Sequence, residues 1–402
     1  MGKRKVLIVG AGIAGLSLAN ALQKYCKDQI DYRIVERQLK FTPQGAGIAL
    51  PANAVAAFQQ LGLDQTIIQQ SFHVKQIVFT DEKNTLLAQS ETDTLHPKNF
   101  PFLALSRYKL HEILLGHCPL DKISFGKSVV GLTSKSEQVQ VKFNDGTEEA
   151  FDLVVGADGI RSQVRKLSDL GHEDQPLSLG IFVWRMLLKR PPKLEHPTYM
   201  LGTGTLFMLF PISDEEMYCY AHVLSPQNGS HNEEISVAQM KSHFAGFEGD
   251  VKFALDQITT SQQLMSVPLE TVPEVKTHPK MMKNILYIGD AAHACAPSFQ
   301  QGGAMSVEDA VIVAKLLAAF EEIPIEQIVN FYDTFRLKTI HSVQSLSNLV
   351  LQKAAQAIDA QTIEARNQKI MNDGPFNVAF WREYLKVDVF DELDNFIRTR
   401  MN

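Results

Sequence analysis

The sequence predicts an α/β fold: a largely parallel sheet flanked by helices, an inserted and mainly antiparallel β-sheet, and a helical C-terminus. Three observations carry this. Apolar β runs at 6–9, 153–155 and 285–288 each lead into a glycine turn and then a helix, as buried parallel strands do. Residues 175–263 hold strand-like runs at 179–188, 205–210 and 217–224, broken by Pro191-Pro192, Pro211 and Pro226, a pattern of antiparallel pairing. Beyond residue 306 the spacing turns helical, over 306–320 and about 325–360. The expected segments are 1–72, 102–176 and 264–325 for the parallel part, 73–101 and 177–263 for the inserted sheet, and 326–402 for the helical end.

Composition bounds the function. The chain has 402 residues, 45% apolar and 21% charged, with a net charge of −6. That balance argues against a general nucleic-acid or anionic-membrane binder. No apolar run reaches the ~18–20 residues of a membrane span. Cys26, Cys118, Cys219 and Cys295 lie far apart without zinc spacing, which favours a reducing, cytoplasmic setting and no metal. Lys3-Arg4-Lys5 runs straight into the first strand, which does not fit a signal peptide.

The first strand leads into Gly10-Ala11-Gly12-Ile13-Ala14-Gly15 and a helix over 16–25. The glycines serve a tight turn, close approach to a pyrophosphate, and helix–strand packing. A second strand over 32–35 ends at Glu36, whose carboxylate suits the ribose hydroxyls of an adenosine. In this strand–turn–helix–strand context the motif is Rossmann-like and predicts dinucleotide binding. Arg37 suits either the adenine face or a solvated surface. Gly45 and Gly47 permit close approach to something flat, and Gly47 and Ile48 are assigned to the cofactor. Asn53 reads as a helix N-cap. Runs at 74–79 and 85–88 read as a hairpin. Arg107 opens a helix over 107–115, where a cation opposes the helix dipole unless an anion is bound. Residues 139–143 and 149–151 read as a hairpin around Asn144-Asp145-Gly146, with a type I′-like turn.

Asp158 follows the strand at 153–155, again where a parallel strand gives way to a turn and helix. Asp290 follows the strand at 285–288, before a Pro- and Gly-bearing loop and a helix starting near Ser306. Helix N-terminal amides attract negative charge, whereas a carboxylate repels a phosphate. The pair therefore points to a ligand with both hydroxyls and developing negative charge. A flavin has a ribityl chain and an N1–C2=O edge that turns anionic on reduction. The competing reading is a buried turn capped by its Asp. In the inserted sheet, alternation puts Tyr218, Tyr220 and His222 on one face and Cys219 and Ala221 on the other. With Arg185, the first three are candidates for substrate contact or for sheet packing. His293 reads as structural, and Cys295 has no visible partner.

The three motifs together resemble the FAD-dependent aromatic hydroxylases, the single-component group A flavin monooxygenases of the p-hydroxybenzoate and salicylate hydroxylase type. The resemblance spans residues 5 to about 336: Gly10 to Gly15 with Glu36, Gly156 to Arg165, and Gly289-Asp290 with Pro297 and Gln301-Gly302-Gly303. It implies that Arg107 meets the FAD phosphates, that the Val129 backbone touches adenine, and that Asp290 bonds the ribityl chain. It links Asp158 to both FAD and NAD(P)H, and it sets the amides of Gly302, Gly303 and Ala304 against the reduced ring. The implied reaction uses NAD(P)H and O₂ to hydroxylate a small aromatic or polyketide-like substrate through a C4a-hydroperoxide, in a monomer or homodimer. Gln300 departs from the family, which usually has Gly or Ala before Gln-Gly. Leu206 stands where urate-type members carry Arg, which argues against a urate-like anion. The alternatives are a reductase or oxidase of the same fold, or a non-catalytic FAD-binding partner. A halogenase is disfavoured, since the only tryptophans are Trp184 and Trp381.

Overall fold

The computed structural model describes residues 2–41, 46–168, 175–224, 236–273, 277–279 and 281–401. Gly45 and the break at Pro226 lie outside them. The parallel sheet runs in the order Ile285–Tyr287, Leu153–Gly156, Arg4–Val9, Ile30–Glu36, Ile123–Phe125, all neighbours parallel. Val9 pairs with Gly156, and Gly156 with Tyr287. The three motif-bearing turns therefore leave the sheet side by side at its C-terminal edge. Backbone bonds continue the ladder into them, from Gly10 N to Val35 O (2.8 Å), Ala157 N to Val9 O (2.8 Å) and Ile288 N to Gly156 O (3.0 Å).

Helix Ile13–Tyr25 packs against helix Gln301–Ala319 beneath this edge. The approach of helix to strand depends on Gly15, since a Cβ there would lie 2.0 Å from the Gly10 carbonyl oxygen. The second layer is a seven-stranded sheet in the order Met265–Thr271, Leu177–Lys189, Glu216–Leu224, Thr205–Pro211, Thr198–Leu201, Gln76–Asp81, Leu86–Glu91. It is antiparallel except where Thr198–Leu201 meets Gln76–Asp81. One sheet face packs on helices Val237–His243 and Asp250–Gln257 through Cys219, Ala221, Met240 and Phe244. The other face, bearing Tyr218, Tyr220 and His222, turns toward the parallel part. The alternation along this strand is thus as expected.

Five local expectations need correction. The helix expected near Ser306 begins at Gln301; Gly302 and Gly303 read as loop residues, yet they occupy its first turn. Asn53 is not a cap, because Pro51 holds that position and Asn53 is buried within helix Ala52–Leu61. In the 144–146 turn only Gly146 has a positive φ, 82°. Its amide bonds Phe143 O (3.0 Å) and Phe143 N bonds Thr147 O (2.9 Å), so the turn is not type I′, which needs positive φ at both central residues. Strand Met265–Thr271 falls inside the 264–325 segment assigned to the parallel part, but it pairs along Leu177–Lys189 in the large sheet. The predicted break at residue 360 also falls earlier, with helix Ile325–Ala355 followed by Ala360–Asp373, Phe376–Tyr384 and Val389–Met401. Among the described residues no helix is long and apolar enough to cross a membrane.

Gly15→Ala is expected to cost about 1–3 kcal/mol through this backbone collision, read as a lowered denaturation midpoint.

Candidate active site

One cavity of about 660 Å³ opens between the sheet edge and the inner face of the large sheet. Its first wall is the dinucleotide motif. Gly10, Gly12 and Ala14 line it, and Gly12 caps helix Ile13–Tyr25 without a side-chain bond, leaving first-turn amides for an anion. Glu36 Oε2 accepts from Ala11 N and Oε1 from Gln38 N, both at 2.9 Å. The carboxylate that suits a ribose therefore also braces the glycine turn. Arg37, Arg107 and Val129 share this wall. Among the described residues no carboxylate pairs with Arg107, so its charge is available to a phosphate.

The second wall is the stretch after the strand Ile285–Tyr287. Asp290 is exposed to the cavity, beside Pro297, Gly302 and Gly303. Its Oδ1 lies 3.8 Å from the point a Gly302 Cβ would occupy, which places it against the N-terminus of helix Gln301–Ala319. No side chain caps that helix either. A carboxylate and free helix amides thus sit together, as a ligand with hydroxyls and a negative edge requires. Gly47 and Ile48 close this end. A Cβ on Gly47 would lie 2.4 Å from Tyr218 Cβ, so its neighbour at close range is Tyr218.

Two assigned residues stand off the wall. Gly15 is spent on packing, and the Ala304 side chain is buried, its backbone lying in the helix's first turn. Asp158 lines the cavity but already accepts bonds from Ser162 Oγ (2.5 Å), Gln163 N (2.6 Å) and Val164 N (3.2 Å). It holds the N-terminus of the short helix Gln163–Leu167. Burial raises its pKa and these three bonds oppose the rise.

The third wall is the large sheet. Register sets Arg185 opposite Tyr220, Tyr220 opposite Met208, and Met208 opposite Tyr199, a row crossing four strands and lining the cavity. Tyr218 and His222 flank Tyr220 on its strand. Burial pushes the His222 pKa down to about 3, so the imidazole is neutral near pH 7. Burial raises the pKa of Tyr218 and Tyr220, which stay protonated. Burial and the nearby Asp290 push the Cys295 thiol up to about 12, which leaves it unreactive as a nucleophile.

Beneath the second wall lies a buried charge network. Arg336 bonds Glu308 through Nη2 and Asp309 Oδ1 through Nε at 2.9 Å. Asp309 Oδ2 accepts from Gly289 N at 3.0 Å and meets His293 Nε2 at 2.6 Å. Asn53 Nδ2 donates to Glu308 (2.6 Å) and to Gln301 (2.9 Å). Burial pushes the Asp309 carboxyl up, but His293 and Arg336 outweigh it and hold the pKa below its ordinary value. Glu308 is raised, by burial first. His293, which reads as structural in the sequence, is fully buried in this network. Sequence reading missed this network, and it missed His111, whose Nε2 lies 2.8 Å from Ala11 O. His111 sits one helical turn after Arg107, and that spacing was the available signal.

Residues 3–345 match the family model described as FAD binding domain. The chain belongs to this family. It is a flavoprotein of the FAD-dependent monooxygenase kind. The flavoprotein is 33% identical to 2-heptyl-3-hydroxy-4(1H)-quinolone synthase of Pseudomonas aeruginosa over 322 residues, 77% of this chain and 80% of that protein. It is 27% identical to aurachin C monooxygenase/isomerase of Stigmatella aurantiaca, over 79% and 82% of the two chains. Its fold matches that of Klebsiella pneumoniae HpxO complexed with FAD and uric acid, with a TM-score of 0.81 at 23% identity over 94% of this chain and 97% of that one.

Arg336→Ala is expected to cost about 3–5 kcal/mol, because it strands buried carboxylates. Denaturant titration of the holoprotein measures it.

Proposed function

We propose that this flavoprotein hydroxylates a small, flat aromatic substrate that bears an acidic oxygen and an apolar substituent, using NAD(P)H and O₂ as co-substrates. The observation that carries the reading is the shared cavity, in which the loops suited to FAD and the polar row of the large sheet face one space. FAD, when bound, supplies hydride acceptance from NAD(P)H and the activation of O₂ for transfer of one oxygen atom.

The residues on hand fit that cofactor. The amides after Gly12 and the Arg107 guanidinium suit its phosphates, Glu36 its ribose, and Asp290 its ribityl hydroxyls. The first-turn amides at Gly302 to Ala304 stabilise negative charge on the reduced ring, by the electrostatics of an oxyanion hole. Arg185, Tyr218, Tyr220 and His222 are the substrate contacts. Among the described residues no carboxylate neutralises Arg185, so it favours an anionic phenolate or enolate, the electron-rich form that oxygen transfer needs. His222, neutral and a very weak base, orients the substrate rather than deprotonating it.

Leu206, Met208, Phe210, Leu351 and Phe376 make the rest of the wall apolar. They exclude water and suit a hydrocarbon substituent. The P. aeruginosa relative is named for a product that joins a quinolone ring to a heptyl chain, which supports this class. Leu206 offers no donor to a purine anion. The four free cysteines support a cytoplasmic setting.

Aromatic acids, phenols and 2-alkyl-4-quinolones are expected to stimulate NAD(P)H oxidation selectively, and mass spectrometry should show a product heavier by one oxygen. O₂ uptake without such a product would make the protein an oxidase instead. Asp290→Ala is expected to weaken FAD retention roughly tenfold, measured by flavin absorbance after gel filtration. A fully loaded variant would remove Asp290 from the cofactor site.

A further inference from the structure

Gln300 sits at the hinge between the turn Pro297–Phe299 and helix Gln301–Ala319, with φ 54° and ψ 27°. A side chain in this left-handed region is strained, and glycine is the residue that adopts it freely. Here the Gln300 side-chain amide is held at that hinge by two bonds. Its Nε2 donates to Pro297 O at 2.9 Å and to the Tyr199 hydroxyl at 3.2 Å. A backbone carbonyl only accepts, so the first bond fixes which end of the amide is nitrogen. The other end, Oε1, is buried and has no partner among the described residues.

Two further polar atoms on the same cavity share that condition. The Tyr220 hydroxyl and His222 Nδ1 are buried without partners among the described residues, on side chains only 5% and 1% exposed. Buried polar groups are ordinarily paired, so three unpaired ones, on side chains lining two walls of one cavity, mark where a ligand's polar atoms belong. Their layout is set by the sheet. Tyr199 and Tyr220 lie two strands apart with Met208 between them, roughly 10 Å across at ordinary strand spacing. A bicyclic ring laid over Met208 spans that distance. One edge meets Tyr220 and Arg185, its register partner; the opposite edge meets the amide that Tyr199 and Pro297 hold.

We propose that Gln300 Oε1 is a specificity-determining acceptor, selecting aromatic substrates that carry an N–H or O–H on the edge opposite their acidic oxygen. The assignment rests on the aromatic-hydroxylase reading and narrows it. Arg185 and Tyr220 take the oxygen, and Gln300 takes the donor. Since Oε1 cannot donate, a ring whose far edge is methylated or bears only an acceptor loses the bond and leaves the carbonyl buried and unpaired. Salicylate-like rings, with both polar groups on one edge, fit this spacing poorly.

The test titrates FAD-loaded protein with 2-heptyl-4(1H)-quinolone and with its N-methyl derivative, following the flavin absorbance change for Kd. The wild type is expected to bind the N–H compound about tenfold more tightly. Gln300→Met keeps volume and removes the acceptor. It is expected to weaken the N–H compound about tenfold and leave the N-methyl compound within about twofold. Gln300→Gly, which relieves the backbone, is expected to lose the same discrimination while raising the thermal midpoint, so misfolding does not mimic the result. Equal binding of both compounds by wild type, or an unchanged ratio in Gln300→Met, overturns the proposal. If neither quinolone binds but salicylate does and gains oxygen, this proposal falls and the hydroxylase reading stands. If no aromatic compound binds or is oxygenated, both fall.

Discussion

The site depends on one buried ionic interaction, that of Arg336 with Glu308 and Asp309. Helix Ile325–Ala355 supplies the cation and helix Gln301–Ala319 the two carboxylates. Through Asp309 the network grips the Gly289 amide and His293; through Glu308 it reaches Asn53 and then Gln301. Both ends of the loop that bears Asp290 are thus tied to a single guanidinium. Charges this deeply buried add little net stability when intact. Their value here is positional, because a carboxylate and a set of helix amides must keep their spacing across a loop that holds little regular structure.

The cavity divides its labour by architecture. Parallel strands in register deliver three turns to one edge, where backbone amides and carboxylates dominate. The large sheet delivers side chains in rows, where register decides which of them are neighbours. One is a surface of helix termini and the other a surface of side-chain chemistry. The two meet along Gly47 and Tyr218, where the absence of a Cβ lets the large sheet lie against the strand Gly47–Leu50.

Much of this was legible in the sequence because its signals are local. A strand, glycine turn and helix are contiguous, so Gly10, Gly156 and Gly289 could be read directly. Alternation is also local, and it placed Tyr218, Tyr220 and His222 on one face. What escaped depended on contacts distant in sequence. Asn53 looked like a cap because its partners Gln301 and Glu308 lie about 250 residues away. The start of the helix at Gln301 was hidden by two glycines that ordinarily disfavour helix. Strand Met265–Thr271 was misassigned because pairing with Leu177–Lys189 leaves no mark in its own residues. Tyr199 and Phe376 reach the cavity only through tertiary packing, Phe79 lying against both rings.

The matched family region ends at residue 345, within the helix Ile325–Ala355. Past that point the same helix lends Leu351 and Ala354 to the cavity, and a later helix lends Phe376. The residues suited to a nucleotide precede this boundary, whereas part of the apolar lining comes after it. The same tail also holds the loop after Asp290, with Asn348 Oδ1 accepting from Ala296 N (2.9 Å) and Trp381 Nε1 donating to Phe299 O (2.8 Å), so grafting a different one would both reshape the guest compartment and loosen the loop beside it.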